Sequence, residues 1–448
     1  MIISPGAGFR VLSSISTGGG GIKSGASSLR RFTIACTAGP NTLRPSPPPD
    51  RVLSAHLEEM PARFAPRRVL VLSKITRYEF EKQKYPDLSE EELAVLLAKK
   101  GSNLKKLKDL NDFHKDQARK VVQCFSERDI EAQMVNRYEY GPEVIDWADA
   151  IFTAGGDGTF LLGASKVKSN SKPLIGINTD PRRSEGYLCL AKPDSADFSK
   201  SLDKLLKGQF KWFYRQRIRI ELSGPNAMDA PVELHEQQLE LSEHRFADYP
   251  LHDESLQKGD ADGTATPGEV ESPTRILPER ALNEVFIGES LSSRVSYYEV
   301  SVDDGPSAKQ KSSGVTVCTG TGSTSWSFNI NKLTQQAAAS LIGLIRDTSL
   351  LPVPSDEDYV EHVTKKFNEQ LIFDPSDTRM VYTVRDPVSN STYSTANPRG
   401  FAQRVHLKSR CYDAALVIDG GPSYKFNEGS EATLSIHPDD ALLTVQLE

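Results

Sequence analysis

One short segment constrains this chain more than any other: a glycine turn with a single carboxylate, Gly155–Thr159, which follows an apolar run and opens a helix-like stretch. Glycine brings no Cβ, so a phosphate or a ribose can approach such a backbone closely. The free N–H groups at a helix start favour an anion, and the Asp157 carboxylate could accept a proton from a reacting hydroxyl. The segment therefore predicts either a nucleotide-binding turn at the end of a buried strand or a plain βα turn with a capping aspartate.

The residues around this turn predict a parallel α/β sheet. Four short runs rich in Val, Ile and Leu are separated by helix-like segments, which is typical of strands buried on both faces. A serine followed by three glutamates at Ser89–Glu92 predicts the start of one helix. We expect this α/β domain to span residues 61–205. Its predicted strands are Arg68–Ser73, Ile130–Val135, Trp147–Thr153 and Pro173–Asn178.

Basic side chains follow two of the predicted strands. Lys74 and Arg77 come after the first strand, and Arg182 and Arg183 lie in the polar loop after the fourth. Ligands of open α/β sheets bind outside the carboxyl ends of the strands. These four side chains are therefore candidates for contacts with phosphate groups, with a solvated basic loop as the alternative.

From about residue 206 the pattern changes to short alternating segments, which predicts a mainly antiparallel β domain over residues 206–446. The run Trp212–Leu222 alternates apolar and basic residues and predicts one half-buried strand, with Val232–Leu241 as its partner. Two insertions interrupt this domain. Residues 243–279 are acidic, poor in core residues and predicted to be disordered, whereas residues 332–372 are predicted to be helical.

Two polar groups break the apolar pattern of the β domain. Asn283 and Glu284 are adjacent within a predicted strand, and an amide beside a carboxylate can bind an adenine edge, a ribose diol or a carboxamide. The loop Thr319–Trp326 offers hydroxyls, open backbone amides and one aromatic face, which suit a base or a sugar. A solvent-facing pair and a plain polar turn are the respective alternatives. A later strand–Asp–Gly pattern, Asp419–Gly421, is most simply a hairpin turn.

The N-terminal segment differs in composition from the rest of the chain. Its first 49 residues contain five basic residues and no Asp or Glu, among many serines and glycines. This composition is typical of organelle transit peptides. We interpret residues 1–60 as a mitochondrial transit peptide with a linker, which would place the mature protein in the matrix. A plastid address and a tail without a targeting role are the alternatives.

The remaining composition limits the partners. A net charge of −6 gives no reason to expect nucleic acid or an anionic membrane surface. No apolar run approaches the roughly 20 residues that a membrane-spanning helix needs. The cysteines are widely separated and form no CxxC pair, so neither a disulfide framework nor a structural zinc site is expected. They are Cys36, Cys124, Cys189, Cys318 and Cys411.

Taken in order, Gly155–Thr159, Asn283–Glu284 and Thr319–Trp326 resemble the three motifs of the NAD kinases, with the animal mitochondrial members as the nearest group. The resemblance covers residues 67–446 apart from the two insertions. It implies an α/β N-terminal domain followed by a β-sandwich. Three positions depart from the family pattern, which usually has proline, tyrosine and aspartate at Gly320, Trp326 and Ser313, respectively.

The resemblance implies transfer of a phosphoryl group from ATP to the 2′-hydroxyl of the adenosine ribose of NAD⁺, giving NADP⁺, with Asp157 orienting and deprotonating that hydroxyl. Mg²⁺ would accompany ATP and be held by ATP oxygens and water, so no protein ligand for the metal is expected. A homodimer is also implied, with the helical insertion as a candidate interface. The residues expected to bind the substrates are Gly155, Gly156, Gly158, Thr159, Asn283, Glu284, Thr321, Thr324, Ser325 and Trp326.

Two other functions stay open at this point. A lipid kinase of the diacylglycerol or sphingosine type shares the glycine turn, but it would need an apolar substrate groove in place of the hydroxyl-rich loop. A catalytically inactive dinucleotide-binding protein would bind NAD⁺ without turnover. The sequence does not choose between ATP and inorganic polyphosphate as donor, or between NAD⁺ and NADH as acceptor.

Overall fold

The computed structural model describes residues 64–240, 273–291, 293–348, 353–391, 393 and 397–448, so the predicted transit peptide lies outside the described residues. The first part of the described chain is a parallel sheet flanked by helices. Its strands are β1 (Arg68–Ser73), β2 (Glu131–Val135), β3 (Ala150–Gly155) and β4 (Leu174–Asn178). Its helices are α1 (Arg77–Lys84), α2 (Glu90–Lys99), α3 (Leu104–Ser126), α4 (Pro142–Trp147), α5 (Asp157–Lys166), α6 (Lys192–Ala196) and α7 (Phe198–Leu206).

The parallel sheet has the strand order β2-β1-β3-β4; strands β1, β3 and β4 are buried on both faces, whereas the edge strand β2 is mostly exposed. Val69 and Val71 pack into the core on one face, and Leu70 and Leu72 pack into the core on the other. This burial on both faces explains the uninterrupted apolar runs in the sequence. Ser73 pairs with Ala154, and Gly155 pairs with Asn178, so the strands end at one common edge.

The second part of the chain is mainly antiparallel. Its strands are β5 (Phe210–Arg215), β6 (Ile218–Ser223), β7 (Val232–Glu233), β8 (Thr274–Ile276), β9 (Glu284–Glu289), β10 (Ser296–Val302), β11 (Ala308–Ser312), β12 (Val315–Cys318), β13 (Met380–Val384), β14 (Arg399–Ala402), β15 (Arg404–Ser409), β16 (Ala414–Ile418), β17 (Pro422–Lys425), β18 (Glu431–Ile436) and β19 (Leu442–Leu447). Its helices are α8 (Leu234–Glu240), α9 (Trp326–Asn331), α10 (Gln335–Thr348) and α11 (Glu357–Glu369).

Two sheets of this part face each other across one hydrophobic core. The six-stranded sheet has the order β11-β10-β15-β18-β6-β8, and the seven-stranded sheet has the order β14-β13-β12-β9-β16-β17-β7. Ile220 and Leu407 contribute to the shared core from the first sheet, and Val285 and Leu416 contribute from the second. The predicted architecture, an α/β domain followed by a mainly antiparallel β domain, is confirmed.

The boundary between the two domains differs from the predicted break at residues 205/206. Strands β5 and β19 pair only with each other, as a separate two-stranded sheet. Phe210 and Val445 from this pair belong to the same core as Phe152 of the parallel sheet. The last strand of the chain therefore returns to the α/β domain, which ties the two domains together at their seam.

Two local predictions were wrong. The run Trp212–Leu222 is not one strand, because Gln216 and Arg217 separate β5 from β6 and the two strands belong to different sheets. The partner predicted at Val232–Leu241 is a two-residue strand followed by α8.

The predicted disordered segment, residues 243–279, falls largely outside the described residues. Its end is ordered, because β8 pairs with β6 there. In the predicted helical segment, 332–372, the structure has α10 and α11. Within the described ranges, no helix is long and apolar enough to cross a membrane.

Candidate functional site

The glycine turn lies where the parallel strands end, and neighbouring loops are bonded to it. The Lys74 backbone N–H donates to the Ala154 carbonyl (3.0 Å), and the Thr179 N–H donates to the Gly155 carbonyl (3.2 Å). These bonds extend the strand register into the loops that follow β1 and β4. The predicted juxtaposition of these three strand ends is therefore present in the structure.

The glycines of the turn serve different purposes. A Cβ at Gly155 would come within 2.2 Å of the Thr159 hydroxyl oxygen, so packing inside the turn itself requires glycine there. A Cβ at Gly156 would lie 3.2 Å from the Ser184 hydroxyl. Gly158 alone of the three faces open space, with no described atom within 4 Å of a Cβ. The sequence predicted that a ligand could approach the backbone closely at all three glycines, but only Gly158 leaves that space open.

Asp157 is the first residue of α5, and its half-buried carboxylate is held by the loop after β4. Its two oxygens accept hydrogen bonds from the backbone N–H groups of Tyr187 (3.2 Å) and Leu188 (2.8 Å). These bonds fix the direction of the carboxylate. Each oxygen keeps a lone pair that the described residues do not use, and such a lone pair can accept a proton from a bound hydroxyl.

The Asn283–Glu284 pair lies at the start of β9 and has unused polar atoms. Asn283 Oδ1 and Glu284 Oε2 are buried without a hydrogen-bond partner among the described residues. Burial, and secondly the charge of Asp419, raise the pKa of Glu284 to about 8. A buried polar atom without a partner costs free energy of about 1–3 kcal/mol. These atoms are therefore positioned for a ligand that supplies the missing partners.

Asp419 has a role that its sequence pattern did not reveal. It forms the predicted hairpin turn between β16 and β17, with a left-handed backbone (φ 48°). Its carboxylate also accepts three backbone N–H groups, from Leu282 (2.7 Å), Asn283 (2.8 Å) and Glu284 (3.0 Å). The hairpin thus fixes the backbone of the Asn–Glu pair. Only the strand–Asp–Gly pattern itself could have hinted at this contact.

The hydroxyl-rich loop packs directly on the same backbone. The Thr319 hydroxyl donates to the Leu282 carbonyl (2.5 Å), and Asn283 Nδ2 donates to the Ser325 hydroxyl (3.1 Å). A Cβ at Gly322 would lie 2.1 Å from the Asn283 carbonyl oxygen, so this close approach requires glycine. The two polar groups of the β domain are therefore one structural unit.

The predicted residues of this loop differ in exposure. Thr324 is exposed, Ser325 is half-buried, and the Trp326 ring is 40% exposed next to Phe286. Thr321 is buried instead, and its hydroxyl accepts a hydrogen bond from Arg215 Nη1 (3.3 Å). Three of the four side chains are thus accessible to a ligand. Arg215, which the sequence did not single out, contacts the fourth.

A cavity of about 430 Å³ joins the glycine turn to the Asp419 hairpin. Gly158 and Leu161 line it from α5, and Asp419 and Gly420 line it from the hairpin. On another side it is bounded by Glu233, whose pKa is raised by burial despite an ion pair with Arg137 (3.5 Å). Residues from both domains therefore border one space, as a site at a domain seam requires.

A second cavity, of about 380 Å³, lies at the ends of β1 and β4 and brings together three of the four basic candidates, Lys74, Arg77 and Arg183. Burial lowers the pKa of Lys74, with a further decrease from Arg183 and an opposing effect from Asp180. Arg77 also borders this cavity, but its guanidinium donates to Glu81 and Ser102. Arg182 is exposed and does not line the cavity.

His114 is a buried member of this second cavity that the sequence did not identify. Its ring nitrogens lie 3.0 Å from the hydroxyls of Ser73 and Thr179. Burial and the positive charge of Lys74 lower the pKa of His114 to about 4, so the ring is neutral near pH 7. It therefore orients the two strand-end hydroxyls without adding charge.

Among the described residues, no group of three or more His, Cys, Asp and Glu side chains is arranged to hold a metal ion. Half-exposed Asp180 provides one carboxylate beside Lys74 and Arg183. The metal itself stays a prediction.

Comparisons with known proteins show the family of this chain. The family model described as the ATP-NAD kinase N-terminal domain matches residues 74–210. The Rattus norvegicus protein named "NAD kinase 2, mitochondrial" is 46% identical over 387 residues, which cover 86% of this chain and 88% of the relative. The Homo sapiens protein of the same name is 46% identical over 389 residues, covering 86% and 85%.

Among solved structures, an NAD kinase from Archaeoglobus fulgidus in complex with ATP has a TM-score of 0.46 and 14% identity to this chain, covering 85% of this chain and 94% of that chain. At that TM-score the likeness carries no weight for the assignment. The sequence matches carry it, because they extend over most of this chain at an identity well above what unrelated proteins share. The chain belongs to the NAD kinase family.

Proposed function

We propose that this protein transfers the γ-phosphoryl group of ATP to the 2′-hydroxyl of the adenosine ribose of NAD⁺, giving NADP⁺. The observation that carries the proposal is the arrangement at the domain seam. The Asp157 carboxylate is fixed by two backbone amides, and the next residue, Gly158, lines the same cavity as the hairpin that fixes Asn283 and Glu284. Phosphoryl transfer needs positioning and charge neutralisation more than covalent catalysis, and this arrangement supplies the positioning.

The acceptor side is assigned to the β domain. Asn283 Oδ1 and Glu284 Oε2 lack partners, so the amino group of adenine and the hydroxyls of ribose would satisfy them. With a pKa of about 8, the Glu284 carboxyl keeps its proton near pH 7 and can also donate a hydrogen bond. Thr324, Ser325 and Trp326 offer hydroxyls and a ring face for the base and the sugars. Asp157 then orients the 2′-hydroxyl and accepts its proton.

The donor side is assigned to the strand ends of the α/β domain. Lys74 and Arg183 line one cavity, and two basic side chains suit the triphosphate of ATP. Gly158 leaves the start of α5 open to an anion. Mg²⁺ would arrive with ATP and neutralise phosphate charge there. Arg77 is already bonded to Glu81, and Arg182 lies off the cavity, so neither is assigned to the donor.

A substrate panel on the full chain tests the activity. We expect NADP⁺ to form from NAD⁺ with ATP and Mg²⁺, measured with an NADP⁺-specific dehydrogenase as the coupling enzyme. Diacylglycerol and sphingosine in the same panel test the lipid-kinase alternative. Phosphorylation of a lipid without NADP⁺ formation would refute the proposal. Tight NAD⁺ binding with no turnover would indicate a catalytically inactive dinucleotide-binding protein instead.

The assembly that we propose is a homodimer formed through α10. Leu341, Leu344 and Ile345 follow the i, i+3, i+4 spacing of one helix face and are 53%, 62% and 52% exposed. A second copy of the same helix would bury this apolar face. Light scattering should give twice the chain mass for the wild type and a lower mass for a triple substitution to serine. A triple variant that stays dimeric would exclude this face as the interface.

The proposed location is the mitochondrion, and within it the matrix. The names of both relatives include "mitochondrial", and the acid-free, basic N-terminal segment has the composition of a transit peptide. Import of the full chain into isolated mitochondria, followed by protease treatment before and after the inner membrane is opened, tests both steps. A chain that stays accessible to protease in intact mitochondria would contradict the proposal.

A further inference from the structure

Arg215 lies at the domain seam, and its charge forms no ion pair with the described residues. It is the last residue of β5, immediately before the chain crosses from the α/β core to the β-sandwich. Its guanidinium lies over the Phe213 ring (5.2 Å), and Nη1 donates to the buried Thr321 hydroxyl (3.3 Å). The side chain therefore reaches the hydroxyl-rich loop from the α/β side of the seam.

The guanidinium is poorly satisfied for a buried cation. Its Nε is buried without a hydrogen-bond partner among the described residues, and the bond to Thr321 is the one that they give it. No carboxylate of the described residues lies within ion-pair distance of it. Burial lowers the pKa of Arg215 to about 10, although Asp157 and Asp374 oppose the decrease, so the group is still charged at neutral pH. A buried charge without a partner is costly.

Arg217, two residues away, shows what a structural arginine looks like at the same seam. It is fully buried, and its Nη1 donates to the carbonyls of Ala164 (3.0 Å) and Val167 (2.6 Å) at the end of α5. Its Nε donates to the Asp440 carbonyl (2.5 Å). These contacts use its Nε and Nη1 donors to hold the helix that begins with Asp157, while its Nη2 is buried without a partner among the described residues. Arg215 has no comparable set, so a role in holding the fold does not account for its charge.

The groups on either side of Arg215, Asp157 and Thr321, both belong to segments that are assigned to the reaction. Asp157, which accepts the proton of the 2′-hydroxyl, is near enough to favour the charged form of the guanidinium. Thr321 belongs to the loop that bonds to Asn283 through Ser325. The planar guanidinium fork matches phosphate oxygens and is the side chain best suited to neutralise charge on a phosphoryl group in transfer.

We propose that Arg215 binds the phosphoryl group as it moves from ATP to the 2′-oxygen and then holds the 2′-phosphate of NADP⁺; this inference rests on the proposed function. In that step the bond between the γ-phosphorus and the β–γ bridging oxygen breaks, and its electron pair leaves with ADP. A bond forms between the 2′-oxygen and the γ-phosphorus, and the hydroxyl proton goes to Asp157. Arg215 exchanges no proton and supplies positive charge and N–H donors throughout.

The assignment separates Arg215 from the donor cations. Lys74 and Arg183 line the cavity at the ends of β1 and β4, and Arg215 does not. Arg215 instead lines a separate cavity of about 360 Å³ with Cys189 and Asp194. Lys74 and Arg183 would therefore act on ATP from the start of binding. Arg215 would act on the phosphoryl group during its transfer and on the 2′-phosphate afterwards.

The test compares Arg215→Gln and Arg215→Lys with the wild-type full chain. Arg410→Gln is the matched control, because Arg410 forms an exposed ion pair with Glu299 (2.9 Å) in the β domain. For Arg215→Gln we expect kcat to fall on the order of 10²-fold or more, as when one preorganised donor to a transition state is removed. Affinity for NAD⁺, measured by calorimetry, should stay within about threefold. Affinity for NADP⁺ should fall by about tenfold or more, because one charge-assisted contact is lost.

The ratio of NADP⁺ to NAD⁺ affinity is the decisive readout, since a merely structural role would weaken both ligands together. Arg215→Lys should recover part of kcat and part of that ratio. If Arg215→Gln lowers the melting temperature strongly, the ratio in Arg215→Lys decides instead. An unchanged ratio in the folded lysine variant, or an unchanged kcat in the glutamine variant, refutes the inference. A wild-type chain that forms no NADP⁺ refutes the proposed function, while the affinity ratio still tests Arg215.

Discussion

The glycine turn of the α/β domain and the hairpin of the β domain present the same local pattern, a strand that ends in Asp-Gly, but they use the aspartate differently. Asp157 accepts two backbone N–H groups and keeps free lone pairs in a half-buried position. Asp419 accepts three backbone N–H groups, all from the segment that carries Asn283 and Glu284. One carboxylate is oriented by its loop, and the other orients a neighbouring strand.

The difference shows that the number and source of N–H donors, and not the motif, decide what such a carboxylate can do. Asp157 is anchored by a loop from its own domain and is half-buried beside Gly158, which lines the shared cavity. The Asp419 carboxylate accepts the backbone N–H groups of Asn283 and Glu284. It therefore acts through the residues that it positions. We therefore assign catalysis to the first aspartate and positioning to the second.

Replacing Asp157 by Asn should give the largest effect. The amide keeps the size of the side chain but cannot accept the proton of the 2′-hydroxyl, so kcat should fall on the order of 10²-fold or more. Affinity for NAD⁺ should change little, because Asn283 and Glu284 are untouched. Steady-state kinetics and calorimetry on the full chain measure the two quantities. Asp116→Asn, which removes an exposed ion pair with Lys120, is the matched control and should behave as wild type.

A variant with Asp157→Asn that retains more than about a tenth of the wild-type kcat would mean that another group takes the proton. Asp157 would then have no catalytic role to distinguish it from Asp419.

Replacing Asp419 by Asn should reduce stability and NAD⁺ affinity but leave the chemical step in place. The amide NH₂ would face at least one backbone N–H that now has an acceptor, and an unsatisfied buried group costs about 1–3 kcal/mol. Asparagine tolerates the left-handed backbone, so strain adds little. Urea unfolding should show the loss of stability. At saturating NAD⁺, kcat should remain within about threefold of wild type, and a larger fall would place Asp419 in the chemistry.

The sequence predicted the parts of the site that depend on local pattern. Short apolar runs identified the parallel strands, because those strands are buried on both faces, and the glycine turn identified the start of α5. The Asn283–Glu284 pair and the loop Thr319–Trp326 were recognisable because polar residues interrupt an apolar pattern. Which of the four basic candidates share a cavity was not predictable, since that depends on how the loops after β1 and β4 fold over each other.

Contacts between distant parts of the chain could not be predicted. The pairing of β5 with β19 joins Arg215 to Leu442, and no local pattern encodes a partner so far away. The sequence therefore assigned β5 to the wrong domain and passed over Arg215. Likewise, the bond from the Asp419 carboxylate to the Asn283 N–H spans 136 positions. A strand–Asp–Gly pattern predicts the turn, but the three N–H groups are found only when the sheet is assembled.

Glu284 of the Asn–Glu pair should also affect the pH dependence of stability. The pKa of Glu284 is raised from an ordinary 4.5 to about 8 in the folded protein. Between these values the unfolded chain has lost the proton that the folded chain keeps, so the contribution of Glu284 to stability is highest below pH 4.5 and falls as the pH rises toward 8. Glutamine in its place cannot titrate. Melting curves from pH 5 to 9 should show a smaller decrease for Glu284→Gln than for wild type, and parallel curves would contradict this.

The smallest effects should come from the glycine that follows each aspartate, and they should differ in sign. Gly158 lies in α5 with open space at its Cβ, so Gly158→Ala should raise stability by about 0.5–1 kcal/mol. Gly420 has a φ of +69°, so Gly420→Ala should lower stability by roughly 1 kcal/mol. The KM for ATP should rise only in Gly158→Ala, because a methyl group there meets the donor phosphates. Equal KM values in both variants would show that the open face of the turn does not touch the donor, and Asp157 alone would then distinguish the turn from the hairpin.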